Sequence, residues 1–173
     1  MKELIRNNHN LTEDDIHKSA KIVKVIISNS KDEILLAYSY NNYQFPGGHV
    51  DEGETLIETL NRETKEETGI ELNIDSLEPF ACNLGYYKDF PEKGINRKRE
   101  IYFYQVQTDQ EPDLSKTEYT QNEIDGNFEL RYIPLSQVEQ VIEENAKNYG
   151  DKRAISKEII EIIKIFKENF NKK

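Results

Sequence analysis

One cysteine, one methionine and no tryptophan occur in 173 residues. A lone Cys82 excludes a disulfide framework and a thiolate metal site, and reads as a small buried residue in a reducing compartment. His9, His17 and His49 share no ligand spacing, so a histidine metal centre is not expected. No apolar run approaches the ~20 residues that span a bilayer, and the opening segment MKELIRNNHNLT lacks the apolar centre of a signal peptide. A cytoplasmic protein that does not enter membranes is expected. Basic residues are also in short supply, 23 against 33 acids, for a formal net charge of −10. That field repels polyanions, which argues against general coating of DNA or RNA. A small phosphorylated ligand stays compatible with it if bound cations invert the local field.

What is present is enough to fold. Ten tyrosines and seven phenylalanines accompany a charged fraction of 32%, and the length suits one domain with a real core. We expect a single domain over 1–173, with a polar N-terminal extension at 1–18, a short helix starting after Thr12, and a C-terminal helical segment at 136–173. Ile22 to Ile27 and Glu33 to Tyr38 are β-rich runs separated by Ser-Asn-Ser-Lys-Asp, so they predict a hairpin. Phe45-Pro46-Gly47-Gly48 then interrupts regular structure. Thr55 to Thr68 predicts a helix, with Thr55 and Glu58 at capping-box spacing, Gly69 as its stop, and Leu56, Ile57, Leu60 and Thr64 as its inward stripe. Further strands are expected at Ile70 to Ile74, Pro79 to Tyr87, Glu100 to Gln107 and Phe128 to Ile133. Helices are expected at Ser136 to Lys147 and Lys152 to Phe170. In the latter, Ile155, Ile159, Ile162, Ile163, Phe166 and Phe170 recur at helical spacing, a stripe that builds core and could also build a homodimer. Strands that do not strictly alternate with helices indicate an α/β protein with a mixed sheet.

From Asp51 to Glu67 the chain carries seven acids and two bases. Glu63, Glu66 and Glu67 stand at i, i+3 and i+4, which projects three carboxylates from one helical face. The i, i+4 like-charge pair costs the helix about 0.2–0.5 kcal/mol, so helix formation alone does not account for it. A divalent cation does. Mg²⁺ takes hard oxygen ligands, keeps several waters and is shared between one or two carboxylates and substrate phosphates. An acid-rich face by itself is usually only solvated, and Glu58 is fully accounted for by capping and by a pair with Arg62.

The ordered pattern goes further. GHVDEGETLIETLNRETKEETGI, from Gly48 to Ile70, resembles the box of the Nudix, or MutT-like, hydrolase family. Gly48, Glu54, Arg62, Glu63, Glu66, Glu67 and Gly69 fall on its glycine and charged positions, and Phe45-Pro46-Gly47 on its usual lead-in. Thr64 departs from it, standing where an aliphatic residue is normal. The resemblance implies an α/β/α sandwich and metal-dependent hydrolysis of a pyrophosphate bond in a nucleoside-diphosphate-linked substrate. Nucleoside triphosphates, dinucleoside polyphosphates and nucleotide sugars all remain open. It implies Mg²⁺, with Mn²⁺ as an alternative, held by Glu63, Glu66, Glu67 and the Gly47 carbonyl. Glu54 would act through a metal-bound water or as support, and Arg62 would orient a box carboxylate. The catalytic base would be a box glutamate or an acid on a later loop, for which Glu123 is the candidate, with Glu118 and Glu129 behind it. A Nudix-like domain can also serve as a nucleotide sensor without hydrolysis, although three aligned ligands are more than a sensor needs.

Beyond the box, Arg97, Lys98 and Arg99 form the compact basic run. Arg97 and Arg99 are candidate phosphate contacts, against a reading as solvated turn charges. His49 beside the glycine pair could touch phosphate, and Tyr86 and Tyr87 could stack on a base or simply pack in a strand. A tyrosine at about this distance resembles the family members acting on dinucleoside polyphosphates. The proline of the ADP-ribose subset is not evident, and the arginine-rich signature of coenzyme A hydrolases is absent from Leu35 to Phe45.

Overall fold

The computed structural model describes residues 1–150 and 155–170. Seven strands form one mixed sheet: β1 (Lys2–Arg6), β2 (Lys18–Ser28), β3 (Glu33–Ser39), β4 (Asn42–Gln44), β5 (Ala81–Tyr87), β6 (Arg97–Gln107) and β7 (Glu129–Pro134). Their order is β1-β5-β6-β2-β3-β4, with β7 paired to β3. The pairs β1 with β5 and β2 with β6 are parallel, and the remaining pairs are antiparallel.

Side chains alternate across β2 and divide the core into two layers. Val23, Val25 and Ile27 pack with Leu60 of α1 (Leu56–Thr68), Leu35, Ile70 and Tyr104 on one face. Ile22 and Ile26 pack on the other with Phe45, Ile101 and Phe103. This second face is covered by α3 (Val138–Tyr149) and α4 (Ile155–Phe170), through Val138, Ile142, Ile159, Ile162, Ile163 and Phe166. The result is the three-layer α/β/α arrangement expected. The start of the last helix was expected at Lys152, which lies outside the described residues, as does the Phe170 side chain. Among the described residues no helix is long and apolar enough to cross a membrane.

The structure corrects several expectations. Within the polar N-terminal extension an unexpected strand forms: β1 adds an edge strand beside β5, its inward contact supplied by Leu4. Its alternation is too weak to mark a strand, because an edge strand of five residues buries little. The helix after Thr12 is a single 3-10 turn, Glu13–Asp15, closed by a capping box. Ile70 to Ile74 is not a strand; Ile70 is buried as the anchor behind α1, and Asn61 binds the Ile74 backbone in both directions. Arg97, Lys98 and Arg99 are not turn charges, since they open β6 and pair in register with Lys18, Ser19 and Ala20. Glu123 is not on a loop. It lies in α2 (Gln121–Asp125), where its carboxylate accepts from the Thr120 N–H at 2.6 Å and hydroxyl at 2.8 Å.

Cys82 is 6% exposed, and burial pushes its thiol up to about 11 from an ordinary 9.0. A two-unit rise cuts the thiolate fraction at pH 8 about 100-fold. Labelling by a thiol reagent at that pH should therefore be at least ~100-fold slower in the native protein than in denaturant. Comparable rates would mean that β5 opens readily.

Candidate functional site

The helix α1 is built by local signals. Thr55 and Glu58 close the capping box, the Thr55 N–H donating to Glu58 at 2.8 Å and the Glu58 N–H to Thr55 at 3.2 Å. Gly69 ends the helix at φ 71°, where any Cβ would also collide with the Asp113 backbone. Thr64, off pattern for an aliphatic position, is fully buried and satisfies its hydroxyl on the Leu60 carbonyl at 2.7 Å. Its methyl serves the core while its oxygen costs nothing unpaired.

The Pro46-Gly47-Gly48 segment is fastened along β2: Val25 N–H donates to the Pro46 carbonyl and Val23 N–H to the Gly48 carbonyl, each at 3.0 Å. Gly47 has φ 121°, and a Cβ there would overlap the Val23 carbonyl. A Cβ on Gly48 would overlap the Glu63 carboxylate. Gly47 is therefore required by its backbone angle and its close approach to strand β2, whereas a Cβ at Gly48 would meet only the far end of the Glu63 side chain.

Glu67 is 6% exposed, with one carboxylate oxygen accepting the Gly47 N–H at 2.8 Å. Burial pushes its pKa up to about 8, against the pull of Lys24 and of that hydrogen bond. Glu66 is also raised, by burial first, and Glu63 and Glu118 push it the same way. Arg62 gathers the rest. Its guanidinium forks onto Glu54 at 2.7 and 2.8 Å, reaches Glu63 at 2.8 Å and Glu66 at 3.2 Å, and donates to the His49 carbonyl at 3.2 Å. Arg62, helped by Thr59, holds the Glu54 carboxyl down to about 2. The Arg62 and Gly47 bonds take one oxygen each of Glu63, Glu66 and Glu67. Among the described residues no hydrogen bond reaches the second oxygen of any of the three, and no three acidic, imidazole or thiol side chains enclose a cation by themselves.

Two features here escaped the sequence reading. Lys24, half-buried on β2, donates its ammonium to the Gly47 carbonyl. Its signal was a lysine interrupting the apolar run Ile-Val-Lys-Val-Ile-Ile. The segment after β6 also returns across the end of α1, with the Asp113 N–H on Thr68 and the Glu118 N–H on Glu66, at 2.9 and 2.8 Å. It brings Glu118 and Glu123 within electrostatic reach of Glu66 and Glu67. Glu129 instead pairs with Arg131 at 2.7 Å.

Of the other candidates, Arg97, Arg99 and Tyr87 share the sheet face of Ile101 and Phe103, and the Arg99 guanidinium lies 5.9 Å over the Tyr87 ring. Gly85 leaves room for that ring. His49 bridges to Ile22, and burial lowers its pKa, with Arg97, Arg99 and Lys24 adding to the effect. A cleft of about 430 Å³ opens beside it, lined also by Ser19, Ala20, Lys21 and Val50. Tyr86 separates from Tyr87. It faces the opposite side of β5 and donates to Glu13 at 2.7 Å, so the two tyrosines do not form one stacking surface.

The model of the NUDIX domain matches residues 18–155. The asymmetrical bis(5'-nucleosyl)-tetraphosphatase of Mus musculus is 37% identical over 86 residues, covering 47% of this chain and 58% of that protein. The RNA pyrophosphohydrolase of Francisella tularensis subsp. mediasiatica is 32% identical over 88 residues, covering 49% and 56%. The chain thus spans little more than half the length of these relatives. Among solved structures, the E. coli ORF135 protein aligns with a TM-score of 0.55 at 21% identity over 87% of this chain and 90% of that one. A C. elegans Ap4A hydrolase complex aligns at 0.54 and 18%, over 89% and 99%. These structural likenesses establish the fold. With every glycine and charged position of the box present between Gly48 and Gly69 and the domain model covering most of the length, the chain belongs to the NUDIX domain family.

Proposed function

We propose that the protein hydrolyses a phosphoanhydride bond in a nucleoside polyphosphate, using Mg²⁺ or Mn²⁺ held at the Glu63, Glu66 and Glu67 face of α1. The observation that carries this reading is the convergence at Gly47. This one residue meets Glu67 through its N–H and presents its carbonyl to a cationic group, beside carboxylates that each keep an unused oxygen. The donor set suits a hard ion, and its incompleteness suits one that substrate phosphate and water finish coordinating. When bound, the cation would neutralise charge at phosphorus and render an attacking water more acidic.

The chain's own residues do the rest. Arg62 fixes Glu63 and Glu66 on the ridge, with Glu54 as its own anchor. Arg97 and Arg99, whose charge is felt at His49, supply the positive field that an anionic substrate requires in a protein of net charge −10. Tyr87 offers the ring against which a base could stack. A box glutamate or Glu123 takes the proton from water; for Glu123 this requires leaving its Thr120 cap. Among substrates, dinucleoside tetraphosphate is the first choice, because the mouse relative carries that activity in its name.

A panel of dinucleoside polyphosphates, nucleoside triphosphates, nucleotide sugars and 5'-triphosphorylated RNA, each with Mg²⁺, Mn²⁺ or EDTA, tests the proposal. Metal-dependent release of two phosphorylated products is expected. Saturable nucleotide binding without product would instead favour the sensor reading.

A further inference from the structure

Lys24 is the one charged side chain in the run from Ile22 to Ile27, between Val23 and Val25, both fully buried. Its neighbours across the β6 pairing include Phe103, also buried. Placing an ammonium at a half-buried position on a central strand costs desolvation, so it needs a partner. Its partners are the Gly47 carbonyl and, through space, Glu67. The backbone fixes this meeting, because the Val23 and Val25 hydrogen bonds lock Gly47 directly opposite Lys24. The ammonium therefore stands on the carbonyl that a divalent ion would use. Placing both on one oxygen would set the ammonium and the divalent ion against each other at contact distance.

On its other side, Lys24 is one of three cations, with Arg97 and Arg99, whose charge is felt at His49. An ammonium released from Gly47 has a four-carbon stem to swing on, and it belongs to the same group of positive charges around His49. A phosphate chain drawn to that group of cations would come within reach of it.

We infer that Lys24 is an exchangeable internal cation, resting on the Gly47 carbonyl when no metal is present and passing to a phosphate oxygen of the substrate when a divalent ion takes its place. This rests on the metal-dependent reading proposed above. It makes Lys24 a group that both restrains metal binding in the empty site and reports metal occupancy to the substrate. A fixed counter-ion to Glu67 would also repel the ion, but it would not report metal occupancy to the substrate.

Two titrations on the full chain separate these roles, comparing the wild type with Lys24→Met. In the first, Mn²⁺ binding without nucleotide should be about tenfold tighter in Lys24→Met, since a competing unit charge is gone. In the second, binding of methylene-bridged ATP, a non-hydrolysable triphosphate, is measured in EDTA and in Mg²⁺. Exchange predicts that Lys24→Met loses affinity about tenfold in Mg²⁺ and changes less than twofold in EDTA, where Lys24 is still held by Gly47. An equal loss in both conditions, or Mn²⁺ affinity unchanged or weakened by the substitution, overturns the inference while leaving the hydrolase reading intact. Failure of the wild type to bind Mn²⁺ at all would remove the metal reading, and the inference with it. Thermal unfolding of Lys24→Met, with Mn²⁺ restoring any loss of Tm, confirms that the variant is folded.

Discussion

Glu67→Gln should lower turnover about 10²–10³-fold, the scale set by removing one group that stabilises developing charge, while leaving the metal-free protein at least as stable as the wild type. The stability half follows from burial. Glutamine keeps an oxygen for the Gly47 N–H, which donates at 2.8 Å, and carries no charge into a site that is 6% exposed. The carboxyl titrates near 4.5 when solvated and near 8 when folded, so between those values the folded state holds the extra proton. Wild-type stability therefore falls as pH rises from 4.5 to 8, and Glu67→Gln should escape that fall. The two proteins should have matching Tm below pH 4.5 and diverge in favour of the variant toward pH 8. Mg²⁺ should raise the Tm of the wild type and not that of Glu67→Gln. Retained turnover would remove Glu67 from the chemistry, and a variant less stable at pH 8 would mean that the ionised carboxylate supports the fold.

The box was legible because its requirements are local. Capping at Thr55, the stop at Gly69 and the i, i+3, i+4 spacing of Glu63, Glu66 and Glu67 all act within a few residues, and each is found as expected. The β2–β3 hairpin, the strands β5, β6 and β7 and both C-terminal helices are legible from periodicity, with those ends that fall on described residues shifted by at most a few positions. What stayed hidden depended on contacts distant in sequence. The strand β1 exists only because β5 accepts it, and Ile70 to Ile74 reads as β-rich although its apolar residues anchor α1 rather than join a ladder. The basic run became part of β6 because the parallel pairing with β2 starts at Lys18. A single lysine in an apolar strand, as at Lys24, has no meaning until Gly47 is placed against it. Tyr86 and Tyr87 are neighbours in sequence, and in a strand that adjacency guarantees opposite faces.

Arg62→Met should be the most damaging single change to the organisation of the site. The guanidinium meets Asp51, Glu54, Glu63 and Glu66, four acids that lack another counter-charge of comparable closeness among the described residues. Removing a partner from a fully buried ion pair costs about 3–5 kcal/mol. Arg62 is 28% exposed and its partners 15–72%, so solvent screens part of the repulsion and a loss of about 1–3 kcal/mol is expected. Turnover should fall about 10–100-fold, as when a group that orients metal ligands is lost. Arg62→Lys should recover part of the stability, since it returns the charge, and little of the activity, since an ammonium cannot fork onto Glu54 while spanning Glu63 and Glu66. Added Mg²⁺ should raise the Tm of Arg62→Met by more than that of the wild type, because a divalent ion replaces charge that only the variant lacks. Equal Tm shifts in the two proteins, or full activity in Arg62→Lys, would mean that the carboxylates are ordered by the backbone of α1 and not by the arginine.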